Sequence, residues 1–96
     1  MTEQFIRFDT ADCVKNPSEM AAFLDACFDE DPGDGSLIRA ALNDIARAQG
    51  MSQISRDTGL GRESLYKALG SSGNPEFATI MKVMKALGLK LHASAA

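Results

Sequence analysis

The chain has 96 residues, 45% of them hydrophobic and 24% charged, which suits one small folded domain and leaves no room for two. Ten Lys/Arg against thirteen Asp/Glu give a net charge of −3, and no apolar run approaches the length of a membrane span. No basic leader with an apolar core opens the chain, so a cytoplasmic protein is expected. Cys13 and Cys27 have no CxxC partner and read as reduced thiols rather than a disulfide framework or a metal site, and no cofactor is implied.

In chain order, Gln4-Phe5-Ile6-Arg7-Phe8 suits a short strand or an extended arm. Asn16-Pro17-Ser18-Glu19 predicts a helix start, with Asn16 as cap and Pro17 in the first turn. Met20, Phe23, Leu24, Cys27 and Phe28 then form one apolar stripe, with Asp25, Asp29 and Glu30 on the opposite face. Asp31-Pro32-Gly33-Asp34-Gly35 breaks that helix. A second helix is expected over Ser36–Gln49, with Leu37, Ile38, Ala41, Leu42 and Ile45 inward and Gly50 as its stop. Two short helices follow, Ser52–Thr58 and Arg62–Leu69, joined by Gly59-Leu60-Gly61. After the Gly70-Ser71-Ser72-Gly73 loop, Asn74-Pro75 predicts the opening of another helix, which buries Phe77, Ile80, Met81, Met84 and Leu87. Gly88 ends it. Leu89-Lys90-Leu91-His92 alternates as a short strand would, to pair with residues 5–8 or with another chain.

Charge divides along this order. Residues 1–34 hold nine acids and two bases, net −7, while residues 35–96 hold eight bases and four acids, net +4. Two surfaces with different partners are expected. The domain reading is residues 1–34 as an N-terminal arm and acidic helix, packed on a domain formed by residues 35–96.

The run from Ser52 to Leu69 has helix-turn-helix spacing. Two short helices meeting steeply need a small residue at their contact, a glycine at the turn and apolar anchors. Ser55, Gly59 and the set Ile54, Leu60, Leu65 and Leu69 fill those roles. The second helix would then enter the major groove. Arg62 suits a guanine, Glu63 a cytosine amino group, Ser64 either base, and Lys67 a phosphate. Ser52 and Gln53 suit a phosphate at the N-terminus of the first helix. A bundle whose charges are merely solvated is the plainer alternative, but spacing, glycine and charge agree against it. Tyr66 is expected to lie half-packed on the core. A single recognition helix reads a short site weakly, so a homodimer is implied.

Asn43–Leu91, above all Gly50-Met51-Ser52-Gln53, Thr58 through Leu69, and Gly73-Asn74-Pro75, closely resembles the addiction-module antidote family. These are HigA-like antitoxins with a lambda-repressor-type, Xre-like helix-turn-helix. The resemblance implies an all-α, lambda-repressor-like bundle, to which the residue pattern above adds an N-terminal acidic helix and short terminal strands. It also implies a type II antitoxin that neutralises a small basic toxin of the RelE/ParE superfamily and represses its own operon. By resemblance the DNA-facing positions are Gln53, Arg62, Glu63, Ser64 and Lys67. Two residues depart from the commoner pattern, Ser55 where alanine is usual and Gly61 where a serine cap is usual.

The resemblance gives the acidic third a use. A −7 segment bearing Phe5, Ile6 and Phe8, with Asp25, Asp29 and Glu30 behind, suits a basic toxin surface by charge and apolar anchoring. The inner face of the helix completes the core through Met20, Leu24 and Phe28, and the Leu89–His92 segment is the rival contact. The alternative function is a stand-alone helix-turn-helix repressor without a toxin. An enzyme is not expected, since His92 is the only histidine and no phosphate loop, dinucleotide fingerprint or metal spacing occurs.

Overall fold

The computed structural model describes residues 16–95, so the arm residues Phe5, Ile6 and Phe8 lie outside the described part. Five helices follow one another: α1 Pro17–Glu30, α2 Ser36–Gln49, α3 Met51–Thr58, α4 Arg62–Leu69 and α5 Phe77–Ala86. Among the described residues there is no strand.

Local chemistry sets the first boundary as expected. Asn16 is extended, and its Oδ1 accepts the Glu19 backbone N–H at 2.9 Å, while Pro17 occupies the first turn, where a missing N–H costs nothing. The break after α1 is more than a helix stop. The Asp31 carboxylate accepts N–H groups from Gly33 (2.8 Å), Gly35 (2.9 Å) and, across the corner, Leu37 (2.9 Å). It thereby serves the free N-terminal donors of α2, whose own cap position is a glycine with no side chain to offer. These donors, Gly35 first, favour the charged form and hold the Asp31 carboxyl below the usual carboxylate range.

The core is wholly apolar among the described residues. Leu42 and Ile45 of α2, Ile54 of α3, Leu65 and Leu69 of α4 and Val83 of α5 are fully buried, and Met20, Leu24 and Cys27 of α1 close one side. α2 is the central element, packed on α1, α3 and α4, while α5 packs on α3.

Three expectations need correction. α5 begins at Phe77, not at Asn74-Pro75, because the chain stays extended through Glu76 (ψ 154°) and no side chain caps the helix. Phe28, Phe77 and Met81 are not buried but 48%, 69% and 40% exposed, so Phe28 does not complete the core. The inward arc of α5 runs instead through Ile80, Val83, Met84 and Leu87. Finally, Leu89–His92 forms no strand. Gly88 turns the chain with φ +79°, the Leu89 N–H returns to the Met84 carbonyl at 2.9 Å, and Leu89 and Leu91 lie against the core. A strand needs a neighbour to take its backbone groups, and none is present among the described residues.

Candidate nucleic-acid interface

α3 and α4 are each eight residues long, too short to stand alone, and hold their places through buried anchors and a closed turn. Met51 and Ile54 fix α3, and Leu65 and Leu69 fix α4. Gly59 takes the left-handed conformation (φ +76°, ψ 9°) that a side chain resists, and its N–H bonds the Ser55 carbonyl at 2.9 Å. Thr58 donates its hydroxyl to the Ile54 carbonyl at 2.7 Å and accepts the Leu60 N–H at 3.2 Å. Ser55 is small enough for the helix contact and also useful. Its hydroxyl donates to the Leu60 carbonyl at 2.5 Å, so the half-buried oxygen is satisfied and α3 is tied to the turn. Gly61, extended at φ −66° and ψ 149°, enters α4 without a side-chain cap and leaves that helix end open to an outside acceptor.

The outer side of the pair is polar. Arg62, Glu63, Ser64 and Lys67 are exposed on α4, and Ser52 and Gln53 on α3. Arg62 Nη1 donates to Ser52 Oγ at 3.2 Å, so these two side chains meet across the junction. Gln53 is engaged within its own helix: Nε2 donates to Asp57 Oδ1 at 2.9 Å, and Oε1 accepts from Arg56 Nη2 at 2.7 Å. Glu63, Ser64 and Lys67 share the face of α4 opposite Leu65 and Leu69.

Two neighbours escaped the sequence reading. The Arg47 guanidinium, from the last turn of α2, lies 4.9 Å from the centre of the Tyr66 ring, and Tyr66, expected half-packed, is 41% exposed. Nineteen positions separate the two in sequence, so no local spacing announces them. Arg56 carries a weaker signal, its three-residue step from Gln53 on one helix. Asp25, Asp29 and Glu30 are exposed along α1, away from this pair.

Burial, helped by Asp44, Asp31 and Glu30, pushes the Cys27 thiol up and keeps it an inert core group. Among the described residues no His, Cys, Asp and Glu cluster is suited to a metal. No helix among the described residues is long and apolar enough to cross a membrane.

The described residues thus define a small all-helical protein that presents a short, polar, partly basic helix pair to solvent. The chain belongs to the family of probable addiction module antidote proteins, whose model matches residues 4–95. An uncharacterised protein of Haemophilus influenzae, strain Rd KW20, is 53% identical over 92 residues, covering 96% of this chain and 93% of that protein. No solved structure matches the chain. Family membership supports an antitoxin role and, with it, a toxin as partner.

Proposed function

We propose that this protein is the antitoxin of a type II toxin–antitoxin module, binding and neutralising a basic RelE/ParE-superfamily toxin and repressing its own operon. On this reading α3 and α4 are a lambda-repressor-type, HigA-like helix-turn-helix, with α4 in the major groove of operator DNA. The observation that carries the DNA half is the exposed row Arg62, Glu63, Ser64 and Lys67 on a helix anchored by the fully buried Leu65 and Leu69. Rigid anchoring with a polar outer face is what base readout requires.

Arg62 reads a guanine, Glu63 a cytosine amino group and Ser64 a neighbouring base, while Lys67, Ser52 and Gln53 hold phosphates. The Arg62–Ser52 hydrogen bond supports this assignment by keeping the guanidinium at the junction of the two helices. Two such helices in a homodimer would read half-sites about one DNA turn apart. Toxin binding falls to the acidic third, through Asp25, Asp29 and Glu30 together with Phe5, Ile6 and Phe8.

The deciding experiment expresses the short reading frame beside this gene, with and without this chain. Growth arrest relieved by co-expression supports the antitoxin reading. Absence of arrest, or arrest without relief, leaves a stand-alone repressor. Binding of the chain to the DNA upstream of its own gene, at stepped salt, tests the repressor half.

A further inference from the structure

We propose that the groove between α1 and α5 docks a cationic segment of the toxin that carries an apolar side chain, an inference that rests on the antitoxin reading above. The groove measures about 510 Å³ and is lined by Phe28, Ile38, Ile80, Met84 and Leu91. Of the four large hydrophobic side chains that stand exposed among the described residues, one lines it and two more share α5 with its lining residues Ile80 and Met84. Phe28, in the lining, is 48% exposed. Phe77 and Met81, both exposed, continue the arc of Ile80 and Met84 around α5 at about 100° per residue. Single exposed apolar side chains are ordinary on a small protein, but their convergence on one concavity marks an interaction surface.

Charge selects the occupant. From Pro17 to Ile38 the chain carries six acids (Glu19, Asp25, Asp29, Glu30, Asp31 and Asp34) and no base. Asp34 lines the groove, and Asp29 and Glu30 stand exposed directly after Phe28. The cation in the lining, Arg39, turns its Nη1 to the carbonyls of Leu69 (3.2 Å) and Gly70 (2.6 Å). That guanidinium holds the end of α4 and does little to offset the acids outside. Lys82 and Lys85 of α5 and Lys90 beside Leu91 are exposed and, like Asp29 and Glu30, stand outside the lining, so the anionic wall is the α1 side. An apolar floor beside an anionic α1 favours a partner that presents Lys or Arg around an apolar anchor. The chain's own residues 1–15 are a poorer match, with three acids against two bases, and a second copy brings a net charge of −3.

None of the six DNA-facing residues lines the groove. Toxin and operator therefore engage separate surfaces and can be held together.

The test uses the full chain with Phe28→Lys and Phe77→Lys combined, a cationic pair on exposed positions. Its helix content is checked by circular dichroism, and its affinity for the product of the adjacent reading frame is measured by titration calorimetry. Toxin affinity is expected to fall roughly tenfold or more, as when an apolar anchor leaves an interface. Growth rescue should be lost, and the gel shift with the chain's own upstream DNA should be retained. Unchanged toxin affinity in the folded variant overturns the proposal. So does a fall in the mass of the free chain, which assigns the groove to a second copy. A shift of the Met81 and Met84 methyl signals on deletion of residues 2–15 overturns it as well, since the chain's own terminus would then fill the groove. If wild-type chain fails to bind the neighbour at all, the antitoxin reading itself falls, an outcome distinct from wild type and variant binding equally. Should the pair unfold the protein, Phe77→Ser alone applies the same readouts at a more exposed position.

Discussion

The Arg47 guanidinium sits over the Tyr66 ring, its central carbon 4.9 Å from the ring centre, and joins the end of α2 to the middle of α4. Both side chains are exposed, so the attraction is the modest one of a solvated cation on an aromatic face. A double-mutant cycle with Arg47→Ala and Tyr66→Leu should give a coupling of about 0.5–1 kcal/mol in unfolding free energy. Strict additivity would show that the stack contributes nothing. Arg47 is also placed beside the proposed recognition helix, so the same variants belong in the DNA titration.

Arg62 and Lys67 separate two kinds of DNA contact. Replacing Arg62 with Ala should weaken operator binding by about 1–3 kcal/mol and relax one base position. Replacing Lys67 with Ala should weaken all sequences alike and reduce the salt slope by about 1. Gel shifts on the operator and on scrambled DNA over a salt series distinguish them. An unchanged site preference for the Arg62 variant would remove its role as a base reader. Neither change should alter folding much, because both side chains are exposed.

Asp31 makes stability depend on acid. Its folded carboxyl lies below the ordinary value because the N–H groups of Gly35, Gly33 and Leu37 favour the charged form. The stabilisation is therefore complete above the unfolded carboxylate value and disappears as pH falls through the lower, folded one. Asp34, lowered by Ser36, acts in the same direction. Asp31→Asn should lower the thermal midpoint at neutral and alkaline pH and flatten the acid side of its curve against pH, so that variant and wild type converge in acid. A curve that drops in acid as steeply as that of wild type would mean that other carboxylates set the dependence.

Gly73 has no room for a side chain. A β-carbon there would press into the Ala68 carbonyl and stand 2.5 Å from the Lys67 carbonyl oxygen, at the end of α4. Both are backbone atoms that cannot swing aside. Gly73→Ala should cost about 1–3 kcal/mol in denaturant unfolding, as overpacking generally does, and should loosen α4 in particular. A stability equal to wild type would mean that the Gly70–Gly73 turn shifts freely.

The sequence by itself determined the order of the five helices, the two-helix segment with its glycine turn, and the apolar anchors that hold it. Those features rest on short-range chemistry: Asn16 capping a neighbour three residues on, Gly59 accepting a conformation other residues resist, Leu65 and Leu69 recurring one turn apart. Only the tertiary structure decided how wide the buried stripe of each helix is. Periodicity marks one face of α5 as apolar, yet burial depends on what covers that face. α3 packs on α5, and Leu89 and Leu91 lie against the core, so Val83 and Leu87 are buried while Phe77 and Met81 stay in solvent. The same holds for contacts between distant positions. Arg47 finds Tyr66, Arg39 finds the Leu69 and Gly70 carbonyls, and Arg62 finds Ser52 because packing of the apolar anchors brings their helices together, an arrangement no local spacing encodes.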